Sequence, residues 1–243
     1  MNILKTRSLC KTYGKDTAKV QALKSIDLEI SKGEFVAIIG PSGSGKSTLL
    51  HLLGGLDKPS SGEVTLNGKN IYKLSENKLS DIRRKEFGFI FQSFNLIPVL
   101  TGEENILLPL SVDNTKVDNS YIKEIITTLG IKDRIKHYPN ELSGGQQQRI
   151  AIARALAVKP SVIFADEPTG NLDSKTTEDV LRILRYSVKK FNATLVMITH
   201  DEKVASCADR IITIVDGQIV KDEKNTSSNA KDEIAGSKEV SLK

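Results

Sequence analysis

The sequence predicts an α/β domain with a mainly parallel sheet and an inserted helical lobe. Three observations carry this. Short apolar runs of strand length alternate with longer amphipathic runs near both ends of the chain. A stretch from about residue 93 to 160 is helical in pattern throughout. The 243 residues suffice for one large domain, or one domain with an inserted lobe.

Taken in order, the candidate strands of the first region are Val20–Ile30, Phe35–Ile39, Glu63–Leu66 and Phe87–Phe91. A helix is expected after Gly45 over "KSTLLHLLGGL", stopped by Gly54-Gly55 and by Pro59 beyond them. In the middle region "TGEENILLPL" opens with a threonine cap and an acidic first turn. "SYIKEIITTLGI" places Ile122, Ile125, Ile126 and Leu129 on one helical face. "ELSGGQQQRIAIARALA" follows, with Ser143 and Gln146 at capping-box spacing. The last region alternates again: strand "VIFAD", helix "KTTEDVLRILRYSVKKF", strand "ATLVMITH", short helix "DEKVASCA", and the hairpin "RIITIVDGQIV" around Asp216-Gly217. Residues 221–243 are polar, lack aromatics and sustain no period, so they read as a flexible polar tail.

Composition narrows the partners. A net charge of +5 suits a phosphate ligand or proximity to an anionic membrane, and it does not require nucleic acid. Neither an aromatic RNA-binding pattern nor zinc-ligand spacing is present, so no nucleic-acid partner is expected. Cys10 and Cys207 are far apart without CxxC spacing, which fits a reducing compartment. No apolar run approaches the roughly 18 residues of a membrane span, and the N-terminus lacks a signal-peptide core. The chain is expected to be soluble and to meet a membrane only through a partner.

Chemistry concentrates in three motifs. "GPSGSGKST", residues 40–48, follows a strand and opens a helix, the context of a phosphate-binding P-loop. Across Gly40, Pro41, Ser42, Gly43, Ser44, Gly45, Lys46, Ser47 and Thr48, glycines let backbone amides curl around phosphate oxygens. Lys46 supplies charge to the β- and γ-phosphates, and Ser47 offers a hydroxyl to Mg²⁺. In "VIFADEP", Asp166 and Glu167 end a buried strand at the edge where parallel sheets collect ligands. Asp166 suits a hydrated Mg²⁺, and Glu167 suits the polarisation of an attacking water. Finally, Ser143-Gly144-Gly145-Gln146 makes a second helix start attractive to anions. A cap needs only the serine, so two glycines behind it suggest close approach by something else.

P-loop, "LSGGQ" and "VIFADEP", in that order and with a helical lobe between, resemble the ATP-binding subunit of an ATP-binding cassette (ABC) transporter. The resemblance covers residues 1 to about 220, and "LSGGQ" is its most specific element. It implies the P-loop NTPase cassette fold: a mixed-sheet core, an inserted all-helical lobe and an N-terminal antiparallel β portion. Residues 1–220 would be a single domain, with 1–92 and 161–220 the ATP-binding core and 93–160 the lobe. It also implies ATP and Mg²⁺ as ligands, and an ATP-dependent homodimer in which Ser143-Gly144-Gly145 meets the ATP on the facing subunit's P-loop.

Further positions match the family pattern. Gln92 in "FIFQSFNLIP" would reach Mg²⁺ and the attacking water, and His200 would contact the γ-phosphate. Tyr13 in "KTYG" would stack on adenine; an early-strand tyrosine is also often core. Asp173 would cross the dimer interface, although Asn171-Leu172 stands where many cassettes have Ala-Leu; a helix N-cap is the lesser alternative for the aspartate. Phe94, Leu96, Ile97 and Val99 either dock a membrane subunit or pack within the lobe. His51 and His137 read as structural. "FNLIPVLTGEENILLPL" with "ADEPTGNLDS" is most similar to cassettes that serve MacB-like or FtsX-like permeases at the cytoplasmic face of the membrane. That group exports macrolides or bacitracin-type peptides, or releases lipoproteins. An FtsE-like ATPase that transmits force without moving a substrate stands as the alternative.

Overall fold

The computed structural model describes residues 1–15, 18–112 and 115–226. Its centre is a six-stranded sheet in the order β10-β9-β3-β8-β7-β6. The strands are β3 (Phe35–Ile39), β6 (Phe87–Phe91), β7 (Val162–Asp166), β8 (Thr194–Ile198), β9 (Arg210–Val215) and β10 (Gln218–Lys224). All neighbours run parallel except β10, which returns antiparallel beside β9 through the Asp216-Gly217 turn. A second, antiparallel sheet of four strands has the order β2-β1-β4-β5. It comprises β1 (Asn2–Tyr13), β2 (Val20–Ser31), β4 (Ser61–Leu66) and β5 (Lys69–Asn70). The expected mixed core and N-terminal antiparallel portion are both present.

Alternation along the parallel strands sorts the helices between two faces. Val36, Ile38, Val162, Phe164, Val196 and Ile198 face a core shared with helix α1 (Lys46–Leu53), helix α2 (Glu76–Lys85) and the antiparallel sheet. Phe35, Ala37, Ile163, Ala165, Leu195 and Met197 face the opposite core. There lie α3 (Gly102–Val112), α4 (Asn119–Thr128), α5 (Gly144–Ala157), α6 (Ser174–Lys190) and α7 (Glu202–Ala205). The P-loop helix α1 and the helix α5 behind "LSGG" therefore occupy opposite faces of one sheet.

The structure corrects several expectations. β1 is a long strand that its sequence pattern hides. Ser8 and Ser25 sit at φ 44° and 54°, and the β1–β2 register slips around them, so buried positions do not keep period two. Helix α2, "ENKLSDIRRK", buries only Leu79 and so lacks an apolar stripe to announce it. The tail does not begin at 221: Lys221–Lys224 pair with Thr213–Arg210, and Arg210 holds Asp222 through two bonds of 2.6 Å. Asn225 then bonds the carbonyls of Ser206 and Ala208. The rest of the proposed tail, 227–243, lies outside the described residues. Helix α5 is not confined to a separate lobe, because Ile152, Ala153, Ala155 and Leu156 join the core against the sheet.

Candidate nucleotide site

One row of paired residues crosses the sheet. Ile38 is in register with Ile198, Ile198 with Asp166, and Asp166 with Phe91. Gly40 follows two residues beyond Ile38, His200 two beyond Ile198, Glu167 one beyond Asp166, and Gln92 one beyond Phe91. Parallel pairing thus delivers the P-loop, both carboxylates, the glutamine and the histidine to the same carboxyl-terminal sheet edge.

Between β3 and α1 the chain makes the expected loop. Gly40 has φ 148°, and a Cβ there would lie 2.0 Å from the Ile214 carbonyl oxygen. Gly45 has φ 101°, and its Cβ would lie 2.4 Å from the Ala22 oxygen. Neither position accepts a side chain. Pro41, Ser42 and Gly43 are exposed, as is Ser47, while Thr48 is half-buried. Gly45 is the N-cap of α1 and offers no side-chain cap, so the helix's first amides keep their capacity for an anion. Lys46 is buried, its ammonium bonded to the Gly40 and Pro41 carbonyls at 2.9 and 2.7 Å. The Ser44 hydroxyl is buried without a partner. Such a group calls for a ligand, and a phosphate oxygen satisfies it.

At the neighbouring strand ends, Asp166 is half-buried, and burial pushes its carboxyl above the usual aspartate range. His51 and Lys46 oppose that rise, and Glu167 adds to it. No motif in the sequence pairs His51 with Asp166. Glu167 adopts φ 45°, held by its amide on the Ile198 carbonyl at 3.0 Å. Its Oε1 lies 2.9 Å from His200 Nδ1. A left-handed non-glycine residue at this edge stores backbone strain. Gln92 and Asn171 bond reciprocally: Gln92 Nε2 donates to Asn171 Oδ1 at 3.1 Å, and Asn171 Nδ2 donates to the Gln92 carbonyl at 3.0 Å. Asn171, the departure from the commoner family pattern, therefore has a local role.

At α5, the capping box forms as expected, with Ser143 Oγ on the Gln146 amide and Gln146 Oε1 on the Ser143 amide. Ser143 is exposed. The glycines have a reason inside the chain as well. A Cβ on Gly145 would lie 2.5 Å from Thr176 Cγ2, and one on Gly144 would lie 3.1 Å from Leu172 Cδ2. Gln148, fully buried, donates to the Pro168 carbonyl just after Glu167, which straps α5 to the carboxylate turn. Farther along α5, Arg154 donates to the carbonyls of Phe94 and Asn95, both at positive φ. Neither contact is visible in sequence, since each depends on a fold that brings distant segments together.

Asp173 is an N-cap in this chain. Its Oδ1 accepts from the Lys175 and Thr176 amides at 3.1 Å, and its Oδ2 accepts from the Thr176 hydroxyl at 2.6 Å. Those Thr176 bonds hold its carboxyl below the usual range. Tyr13 is not core: it is 42% exposed at the end of β1. Phe94 and Leu96 are half-buried, whereas Ile97 and Val99 are exposed, so the apolar loop divides between packing and display. His137, within the lobe, bears a buried Nδ1 without a partner, and its carbonyl accepts from the Gly102 amide at 2.9 Å.

The donors at the sheet edge suit a hydrated Mg²⁺. Ser47, Gln92 and Asp166 supply two neutral oxygens and one carboxylate, the mixture this ion combines with phosphate oxygens and water.

Comparisons with known proteins identify the family and the fold. The model of the ABC transporter family matches residues 23–170. The bacitracin export ATP-binding protein BceA of Halalkalibacterium halodurans is 48% identical over 221 residues, 90% of this chain and 87% of that protein. The lipoprotein-releasing system ATP-binding protein LolD of Geobacter metallireducens is 43% identical over 223 residues, covering 91% and 99%. Among solved structures, the dimeric post-hydrolysis state of the ATP-binding cassette MJ0796 bound to ADP and Pi superposes with a TM-score of 0.82 at 43% identity. That match covers 92% of this chain and 99% of the cassette.

Proposed function

The chain belongs to the ABC transporter family, and from that premise we propose that two copies close head-to-tail around two ATP molecules to drive a permease of the MacB or FtsX kind. It is an ATP-binding cassette ATPase. The observation that carries the shared-site reading is the placement of two glycine-flanked helix starts on helices packed against opposite faces of one sheet. Each suits an anion, and the neighbours of Gly144 and Gly145 are Leu172, Phe94, Asn171 and Thr176, not the P-loop. A second chain supplies the missing half of each site.

In this reading the first amides of α1 and the Ser44 hydroxyl receive phosphate oxygens, and Lys46 exchanges its loop carbonyls for the β- and γ-phosphates. Ser47, Gln92 and Asp166 hold Mg²⁺, which when bound neutralises charge on the phosphates. Glu167 takes the proton of the attacking water. His200 turns toward the γ-phosphate and leaves the carboxylate free for that task. The facing chain's Ser143-Gly144-Gly145 closes the site, and Asp173 lies along the contact between chains. Tyr13 carries the adenine.

The exposed Ile97 and Val99 contact the permease, which holds this subunit at the cytoplasmic face of the membrane. Among the described residues no helix is long and apolar enough to cross a membrane. The names of the relatives support a peptide, antibiotic or lipid-linked cargo, handled by the permease. A dilution series of the purified chain tests the shared site. ATP turnover per chain should rise with protein concentration as dimers form. Turnover that stays flat down to concentrations where light scattering shows only monomers would overturn it.

A further inference from the structure

Tyr13 stands at the last paired position of β1, opposite Val20, with its ring half exposed. Core packing alone does not fix such a ring. Its hydroxyl donates to Asp57 Oδ2 at 2.8 Å. Asp57 Oδ1 accepts from Lys11 Nζ at 2.7 Å and from the Lys58 amide at 2.7 Å. Lys11 also donates to the Lys58 carbonyl at 2.6 Å, and its ammonium lies 4.7 Å from the Tyr13 ring centroid. One face of the ring thus carries a cation that Asp57 holds in place.

Asp57 is itself anchored. Its carbonyl accepts from the Tyr72 hydroxyl at 2.6 Å, and the Leu56 amide beside it bonds the His51 carbonyl of α1 at 2.8 Å. The carboxylate therefore joins the end of β1 to the helix that begins at the P-loop. Thr48, on that helix, also lies against the phenol.

We infer that Asp57 is a positioning residue for the nucleotide base: with Lys11 it locks the Tyr13 ring at a fixed place relative to the P-loop, leaving the other ring face for adenine. This rests on the assignment of Tyr13 to the base. The charges agree with a lasting clamp. Burial alone would raise the Asp57 carboxyl, but the bonds from Lys11, Tyr13 and the Lys58 amide outweigh it and hold the group below its ordinary value. Burial and Asp57 together raise the Tyr13 phenol, so it stays a donor at neutral pH.

The test compares MgATP with magnesium tripolyphosphate by calorimetry, because the second ligand engages the P-loop without a base. Asp57→Ala should bind ATP about tenfold more weakly, the scale of one stacking contact, with tripolyphosphate affinity unchanged. That second affinity also reports that the variant is folded. Tyr13→Phe, which keeps the ring and removes the hydroxyl, should weaken ATP too. The double variant Tyr13→Phe with Asp57→Ala should be no worse than Asp57→Ala alone. Unchanged ATP affinity in Asp57→Ala, equal losses for both ligands, or fully additive effects would overturn the role of Asp57. Tyr13→Ala separates the premise: normal ATP affinity there removes Tyr13 from the base site and the inference with it.

Discussion

Glu167 Oε1 lies 2.9 Å from His200 Nδ1, so the proposed base and the proposed γ-phosphate contact restrain one another. A glutamine at 167 keeps an oxygen that accepts from the imidazole, yet it takes no proton from water. Glu167→Gln should therefore bind ATP normally while turnover falls by about 10²–10⁴-fold, the usual contribution of a general base. Single-turnover hydrolysis beside equilibrium binding checks this. Near-normal turnover would remove Glu167 from the proposed role.

Lys46→Ala should weaken MgATP binding roughly ten- to a hundredfold, from the loss of a charge-assisted contact of about 1.5–3 kcal/mol. The same substitution strips the Gly40 and Pro41 carbonyls of their donor. The variant should accordingly also lose some thermal stability without ligand. Wild-type affinity in a nucleotide titration would contradict the P-loop assignment.

Gly145→Ala should destabilise the chain by about 1–3 kcal/mol, because the new methyl meets Thr176. Adding Thr176→Ser removes the obstructing methyl and keeps the hydroxyl that Asp173 accepts. Thermal unfolding should then return most of the way to wild type. Turnover of the double variant separately reports whether the methyl obstructs a facing nucleotide. If Gly145→Ala alone unfolds like wild type, the contact with Thr176 is not what excludes a side chain there.

The division of the apolar loop alters the choice of docking variants. Ile97→Ser with Val99→Ser changes the displayed residues, 40% and 79% exposed, and should leave stability within about 0.5 kcal/mol. It should reduce co-purification with the membrane permease proposed as its partner. Phe94→Ser is the contrasting variant: its ring lies near Gly144, and it should lower thermal stability. Full recovery of the Ile97/Val99 variant with the membrane subunit would contradict the docking role.

What the sequence made legible was whatever one segment encodes by itself. Residues 40–48 state a strand end, a loop and a helix start in nine letters, and Val162–Asp166 is apolar up to its final carboxylate. β1 escaped because the left-handed Ser8 breaks its alternation, and α2 because Leu79 is its one buried side chain. The supports of the site were harder still. Asp57 reaches Tyr13 across 44 positions, Gln92 reaches Asn171 across 79, and Arg154 reaches Asn95 across 59. Each is an ordinary polar residue in its own segment, and only the fold gives it a partner. The two meanings of "SGG" show the same limit. The motif points to an approaching phosphate, while Thr176 and Leu172 supply a reason for the glycines from within the chain.

The shared site is tested most directly by mixing two defective proteins. Lys46→Ala lacks the lysine in both sites of its homodimer, and Ser143→Arg places a bulky charge at both helix starts. In a mixed dimer one site takes Lys46 from one chain and Ser143 from the other and is whole, while the second site carries both lesions. ATP turnover is measured for each pure variant and for the one-to-one mixture, with differently tagged chains to demonstrate mixed dimers. Turnover in the mixture should lie well above that of either parent. Mixed dimers as inactive as both parents, or a Ser143→Arg homodimer with full activity, would contradict a site in which one intact Lys46–Ser143 pairing across two chains suffices.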